Sequence, residues 1–167
     1  MSVLVFVEIK NKLSKAAKEA ITYGKSLGEV NVVTYGNASN EVLSEMGDYG
    51  AKTILVYRKI NESNDQVVSK LILSAVDKLN AEFILLSQDQ TGKSIGPRVA
   101  ARLEAGHISG AISLPEASDD FTVKTNVYSG KAIAYVCVHS DKKVISILPN
   151  YFQPVENKVD SYISELE

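Results

Sequence analysis

Disulfide chemistry is the first thing this chain lacks, because its only cysteine, Cys137, has no internal partner. The surrounding run 132–138 is apolar, which predicts a buried structural thiol, since a reactive one needs exposure and a thiolate-favouring neighbourhood. Charge of one sign is also missing. A net charge of -2 supplies no general electrostatic reason to bind nucleic acid or an anionic membrane. No apolar run approaches the roughly 20 residues of a membrane span, and the N-terminus lacks the basic start and cleavage site of a signal peptide. A cytoplasmic protein is the expectation. His107 and His139 are distant in sequence and show no familiar zinc spacing with other Cys or His residues, so no metal site is predicted. There is no Gly-x-Ser-x-Gly elbow, and one cysteine with two histidines does not specify a nucleophilic triad. Catalysis is therefore not expected.

What is present suits one ordinary α/β domain. Hydrophobic residues make up 45% and charged residues 23% of 167 positions, enough for a sizeable core. Residues 3–7 are uninterruptedly apolar, the pattern of a parallel strand covered on both faces. Leu13, Ala16, Ala17, Ala20, Ile21, Gly24 and Leu27 follow at helical spacing, with Gly28 placed to end the helix. A second strand over 30–35 leads through Gly36 and a cap at Ser39 into a short helix over 41–46. A third strand is predicted over 53–57. The helix after it carries an apolar stripe from Val67 to Leu79, with Ser63 and Gln66 as a capping box. A fourth strand covers 83–86.

Beyond Gly106 the pattern changes to four extended segments, 108–114, 121–128, 132–138 and 144–148. Ser129 and Gly130, then Asp141 and Lys142, sit where tight turns would make neighbours antiparallel. The fold class is thus α/β, a three-layer sandwich with a mainly parallel sheet and added antiparallel strands. Residues 1–153 form the expected domain. Residues 154–167 read as an acidic tail or linker with a short terminal helix.

The organising stretch is 88–103, QDQTGKSIGPRVAARL, which follows the fourth strand directly. A strand that runs into a polar turn and then a helix presents free backbone N–H groups to a ligand. Gly92, Lys93 and Ser94 do not complete a phosphate loop, because Ser87 stands where that motif needs a glycine. The helix is predicted from near Ser94 to about Glu104, which puts Pro97 in its first turn, and His107 is read as a partner for its C-terminal end. Ile95, Val99 and Leu103 form its buried stripe. Because ligands of parallel sheets lie beyond the strand C-termini, Glu8, residues 35–37 and residues 89–94 are the candidate crevice. The alternative is that Gly36 and Gly92 only turn the chain while the polar residues cap helices. Lys93 and Arg98 fall on the rim or outer face. Arg98 is suited to a bidentate contact across an interface and Lys93 to a phosphate, with a solvated side chain as the alternative for each. Asp119 and Asp120 read as an exposed turn. Tyr128, Tyr151 and Phe152 read as a partner surface, with core packing an equal reading for Tyr128.

The string Gly-Lys-x-x-x-Pro-Arg-Val-Ala-Ala-x-Leu, residues 92–103, resembles the signature of the N-terminal domain of the electron transfer flavoprotein alpha subunit. SVLVFVEIKN, LGEVNVV, GAKTILVYR, VYSGKAIAYV and KKVISILPNYF fall in the order expected for that domain. The resemblance covers about residues 2–155. It implies an adenine nucleotide alpha hydrolase-like fold and a structural role in a heterodimer with a beta subunit, carrying electrons from flavin dehydrogenases. FAD would be bound outside this segment, by a second domain of the family's alpha subunit, and AMP by the sister domain in the beta subunit. Lys93 and Arg98 become interface candidates by this resemblance. Gln90, Thr91 and Gly92 resemble the AMP turn of the sister domain. That likeness leaves a second reading, a standalone adenine-nucleotide-binding module similar to universal stress proteins.

Overall fold

The computed structural model describes residues 1–60, 64–116 and 120–166. Its centre is made by the apolar runs, which become parallel strands because each is covered on both faces. Strands β1 (Ser2–Phe6), β2 (Glu29–Tyr35), β3 (Ala51–Tyr57) and β4 (Phe83–Ser87) alternate with helices α1 (Lys15–Lys25), α2 (Asn40–Glu45), α3 (Asp65–Leu79) and α4 (Gln90–Leu103). Strands β5 (Gly106–Ala111), β6 (Thr122–Val127), β7 (Ala132–Cys137), β8 (Lys143–Ile147) and β9 (Tyr162–Glu165) complete a nine-stranded sheet. Its order is β7-β6-β5-β8-β4-β1-β2-β3-β9.

Alternation along the strands feeds two cores. Val3, Val5, Val32, Ile54 and Leu85 pack on the α1 side with Ala17 and Ile21. Leu4, Phe6, Val33, Leu55 and Ile84 pack on the opposite side with Ile72, Val76 and Val99 of α3 and α4. Helices on both faces of a mostly parallel sheet make the three-layer α/β sandwich that the sequence pattern predicts. Each helix starts at a side-chain cap: Ser14 accepts from the Ala17 N–H, Ser39 from Val42, Asn64 from Gln66 and Val67, and Asp89 from Gly92. Each oxygen satisfies backbone donors that have no intrahelical acceptor. For α3 the observed cap is thus Asn64; the predicted Ser63 lies outside the described residues.

Several expectations are corrected. Helix α4 begins at Gln90, capped by Asp89, so Pro97 sits inside the helix and not in its first turn. Pro97 is exposed, so the Lys93 carbonyl that loses a helical donor there faces water. β8 is no hairpin partner of β7. It inserts parallel between β4 and β5, a central slot that suits the buried run Val144, Ile145, Ser146 and Ile147. The β6–β7 hairpin does form, with Tyr128, Ser129 and Gly130 at positive φ. Its outer strand lies at the sheet edge, and Cys137 is exposed, not buried. Tyr128 is 81% exposed, which removes the core-packing reading.

His107 does not cap the end of α4. It lies in β5, where its Nε2 is 3.0 Å from Ser146 Oγ and it packs against Gly96, whose missing Cβ would stand 2.8 Å from the same nitrogen. Burial holds its imidazole pKa below the ordinary 6.5. The segment expected as a tail supplies β9, not a helix: Thr53 to Val56 of β3 pair in parallel with residues 162–165, and Leu166 is buried. The sheet therefore extends past the expected boundary at residue 153. Phe152 packs edge-on against Tyr23 with ring centroids 5.0 Å apart, while Tyr151 is half exposed and accepts from Asn126 Nδ2.

Candidate functional site

The strand order reverses between β1 and β4: β1 to β3 run outward on one side, and β4 returns to the other side of β1. Beyond the C-terminal ends of such a pair the two flanking connections diverge and leave a crevice. Here the crevice is an open cleft of about 380 Å³ between the β1–α1 loop and the start of α4. Glu8, Lys10, Lys12, Asp89, Gln90 and Thr91 supply its polar lining.

The α4 end of the cleft is set by close backbone approach. A Cβ on Gly92 would lie 1.8 Å from the Ser87 carbonyl oxygen, a distance no side chain tolerates, so only glycine lets the first turn of α4 press onto the end of β4. Asp89 Oδ1 then accepts the Gly92 N–H at 2.8 Å. Across the cleft Glu8 accepts from two sides, from the Tyr35 hydroxyl at 2.9 Å and from Thr91 Oγ1 at 3.1 Å. One carboxylate thus ties the loop after β1 to the end of β2 and to α4. Ser87 Oγ and Gln88 Oε1 are buried without a hydrogen-bond partner among the described residues.

The structure brings together part of the predicted set. Gln90, Thr91 and Gly92 line the cleft with Glu8 and Asp89, and Tyr35 joins through Glu8. Ser94 turns away and donates to Asp65 of α3. Lys93 and Arg98 stand outside the cleft on the exposed surface of α4, and neither has an ion pair among the described residues. The sequence reading missed the opposite wall, made by Ser14, Ala16, Ala17 and Ala20 at the start of α1. Its signal was available: three alanines at helical spacing leave room where larger residues would fill the cleft.

The arrangement bears on anions. The N-terminus of a helix attracts phosphate through its free N–H groups and its dipole. In α4 the Gly92 N–H is already taken by Asp89, and the Glu8 carboxylate lies beside the same turn. Two carboxylates therefore set negative charge beside the first turn of α4, which disfavours a phosphate there, while Lys10 and Lys12 remain exposed at the rim.

Comparison with known proteins agrees with the architecture. The electron transfer flavoprotein domain model matches residues 3–164. The chain is 28% identical over 160 residues to the electron transfer flavoprotein subunit alpha of Bacillus subtilis, covering 92% of this chain and 49% of that protein. It is 29% identical over 151 residues to the probable mitochondrial electron transfer flavoprotein subunit alpha of Caenorhabditis elegans, covering 88% and 45%. A shorter match, 28% over 110 residues, is to the acryloyl-CoA reductase electron transfer subunit beta of Anaerotignum propionicum, covering 61% of this chain and 30% of that protein. The chain spans about half the length of the alpha-subunit relatives. With the family model matching nearly the whole sheet, the chain belongs to the electron transfer flavoprotein domain family.

Proposed function

We propose that this chain is a non-catalytic scaffold of an electron transfer flavoprotein alpha-type subunit. It assembles with a beta subunit and supports a flavin held outside residues 1–167, in a cytoplasmic complex that accepts electrons from flavin dehydrogenases. The flavin supplies the redox chemistry, and the protein supplies binding, orientation and electrostatics. The observation that carries this reading is the negative charge at the start of α4: Asp89 caps the turn by accepting the Gly92 N–H, and Glu8 accepts from the Thr91 hydroxyl beside it. A module built to hold a nucleotide phosphate there would leave the Gly92 N–H open and keep carboxylates away from the turn. The exposed face of α4, where Lys93, Arg98 and Arg102 project, is the assembly surface in this proposal, with Arg98 suited to a bidentate carboxylate contact.

Co-purification with a beta subunit from the same source tests the scaffold role. The double variant Lys93→Glu with Arg98→Glu is expected to lose the complex while keeping its melting temperature, and unchanged assembly removes these residues from the interface. AMP titration tests the rival reading. A site of about 10 μM affinity would stabilise the fold by about 2.7 kcal/mol at 1 mM ligand. No thermal shift is expected, and a saturable shift of that size would favour a nucleotide-binding module.

A further inference from the structure

The edge hairpin gathers a second group of side chains, far from the cleft. His139 stands two positions after Cys137, so the two residues share a side of the extended chain leaving β7. Cys137 Sγ lies 3.6 Å from His139 Nε2. The Val138 N–H between them donates to the Phe121 carbonyl at 3.0 Å, and this backbone bond holds the preceding residue, Asp120, beside the pair. Asp120 Oδ1 is 3.8 Å from His139 Nδ1. One ligand atom from each of the three residues lies within 4.8 Å of the others, and all three residues are exposed.

Those separations have a chemical meaning. Tetrahedral zinc, with bonds of about 2.0–2.3 Å, sets its ligand atoms about 3.3–3.7 Å apart. The two short contacts meet different nitrogens of the His139 ring, and one ligand atom from each residue lies within 4.8 Å of the others, so side-chain rotations that close that spread by about 1 Å bring one imidazole nitrogen, the sulfur and the carboxylate oxygen onto one centre. The donor set is also selective. Calcium and magnesium favour oxygen ligands, whereas thiolate and imidazole favour zinc and its neighbours in the first transition row. The backbone pairing of β6 with β7 fixes where Cys137 and Asp120 leave the sheet, so part of the ordering is complete before an ion arrives.

We propose that Asp120, Cys137 and His139 form a zinc site with three protein ligands and water in the fourth position. Binding releases the Cys137 thiol proton to solvent, and the resulting thiolate and the carboxylate balance the charge of the ion beside a neutral imidazole. The bound ion clips the chain entering β6 to the chain leaving β7, across the most exposed edge of the sheet.

Cobalt is the first probe, because its thiolate complexes absorb visibly where zinc is silent. Titration of Co²⁺ into the metal-free protein, reduced with a phosphine, is expected to give a thiolate-to-cobalt charge-transfer band and tetrahedral ligand-field bands that saturate at one ion per chain. An equivalent of Zn²⁺ should bleach them. Cys137→Ser should abolish the charge-transfer band, and His139→Ala and Asp120→Asn should each weaken cobalt binding by more than about tenfold. Because the three positions are exposed, circular dichroism should show each variant folded. The absence of a charge-transfer band at about millimolar Co²⁺ overturns the site. A band that persists unchanged in both His139→Ala and Asp120→Asn overturns it too, since the thiolate would then be binding alone.

Discussion

β1 and β7 are both written in apolar residues, yet one is sealed and the other is bare. In β1, Val3, Leu4 and Val5 are fully buried, between β2 and β4 and beneath helices on both faces. In β7, Ile133 and Tyr135 are 55% and 62% exposed, and among the described residues the strand pairs with β6 alone. Connectivity explains the difference. A parallel connection needs a crossover, and the crossover helix brings its own cover; a hairpin returns through a tight turn and brings none. An apolar run therefore reports strand-forming preference wherever it occurs, but its burial depends on the slot the strand takes in the sheet, as the buried β8, which no helix follows among the described residues, also shows.

The contrast is largest at two glycines. Gly92 closes the parallel half, and a Cβ there meets the Ser87 carbonyl at 1.8 Å, whereas Gly130 turns the hairpin with nothing within 4 Å of its missing Cβ. Gly92→Ala is expected to lose more than about 4 kcal/mol in urea denaturation, because backbone must move. Gly130→Ala should lose only about 1 kcal/mol, the cost of holding alanine in the left-handed region at its φ of 83°. Similar losses at both glycines would mean that α4 is not pressed onto β4.

Side-chain truncation extends the same contrast. Leu85→Ala empties a fully buried site in β4 and should cost about 3 kcal/mol. Ile133→Ala in β7 should shift stability by less than about 0.5 kcal/mol. A large loss at Ile133 would show that something covers the hairpin in solution.

These pairs mark where the sequence was readable. Residues 3–7, 30–35, 53–57 and 83–86 were legible as strands because each is mainly apolar and followed by helical spacing. The slot of β8 was not, because its neighbours β4 and β5 are chosen by the whole sheet and not by the turn before it. β9 was hidden for a related reason: Tyr162 and Glu165 are exposed, so an edge strand of mixed composition looked like a tail. In the site, the strand-end rule located Glu8, Tyr35 and Thr91, but it could not reveal that Glu8 bonds to both of the others. Cys137 and His139 were visible as separate residues. Asp120, which completes their cluster, reaches them only through the pairing of β6 with β7.

A medium effect is expected where the two regions meet. Glu19 of α1 is a buried carboxylate whose Oε2 accepts the Asn150 N–H at 2.9 Å. Its Oε1 has no hydrogen bond but lies 3.5 Å from the Lys15 ammonium, an ion pair at longer range. The contact latches the segment after β8 to α1, beside the Tyr23–Phe152 ring pair. Glu19→Ala leaves the Asn150 N–H unpaired and should cost about 2 kcal/mol. Glu19→Gln keeps an acceptor and should lose less; equal losses would make the charge, not the acceptor, the important feature.

The smallest effect is a pH dependence, and its sign follows from His107. Burial lowers the imidazole pKa in the folded state below the ordinary 6.5. As pH falls below 6.5, the unfolded chain takes up a proton that the folded chain still refuses, so unfolding is favoured. The stability that depends on neutral His107 is fully present above pH 6.5, declines below it and is wholly lost once pH passes below the folded-state pKa. His107→Gln keeps a polar contact with Ser146 without a titrating ring, and should flatten the stability profile in that window. If His107→Gln left the profile as steep as before, the buried histidine would not be the group that opposes protonation, and β5 would have to pack more loosely against Gly96 than the 2.8 Å from its missing Cβ to the His107 ring indicates.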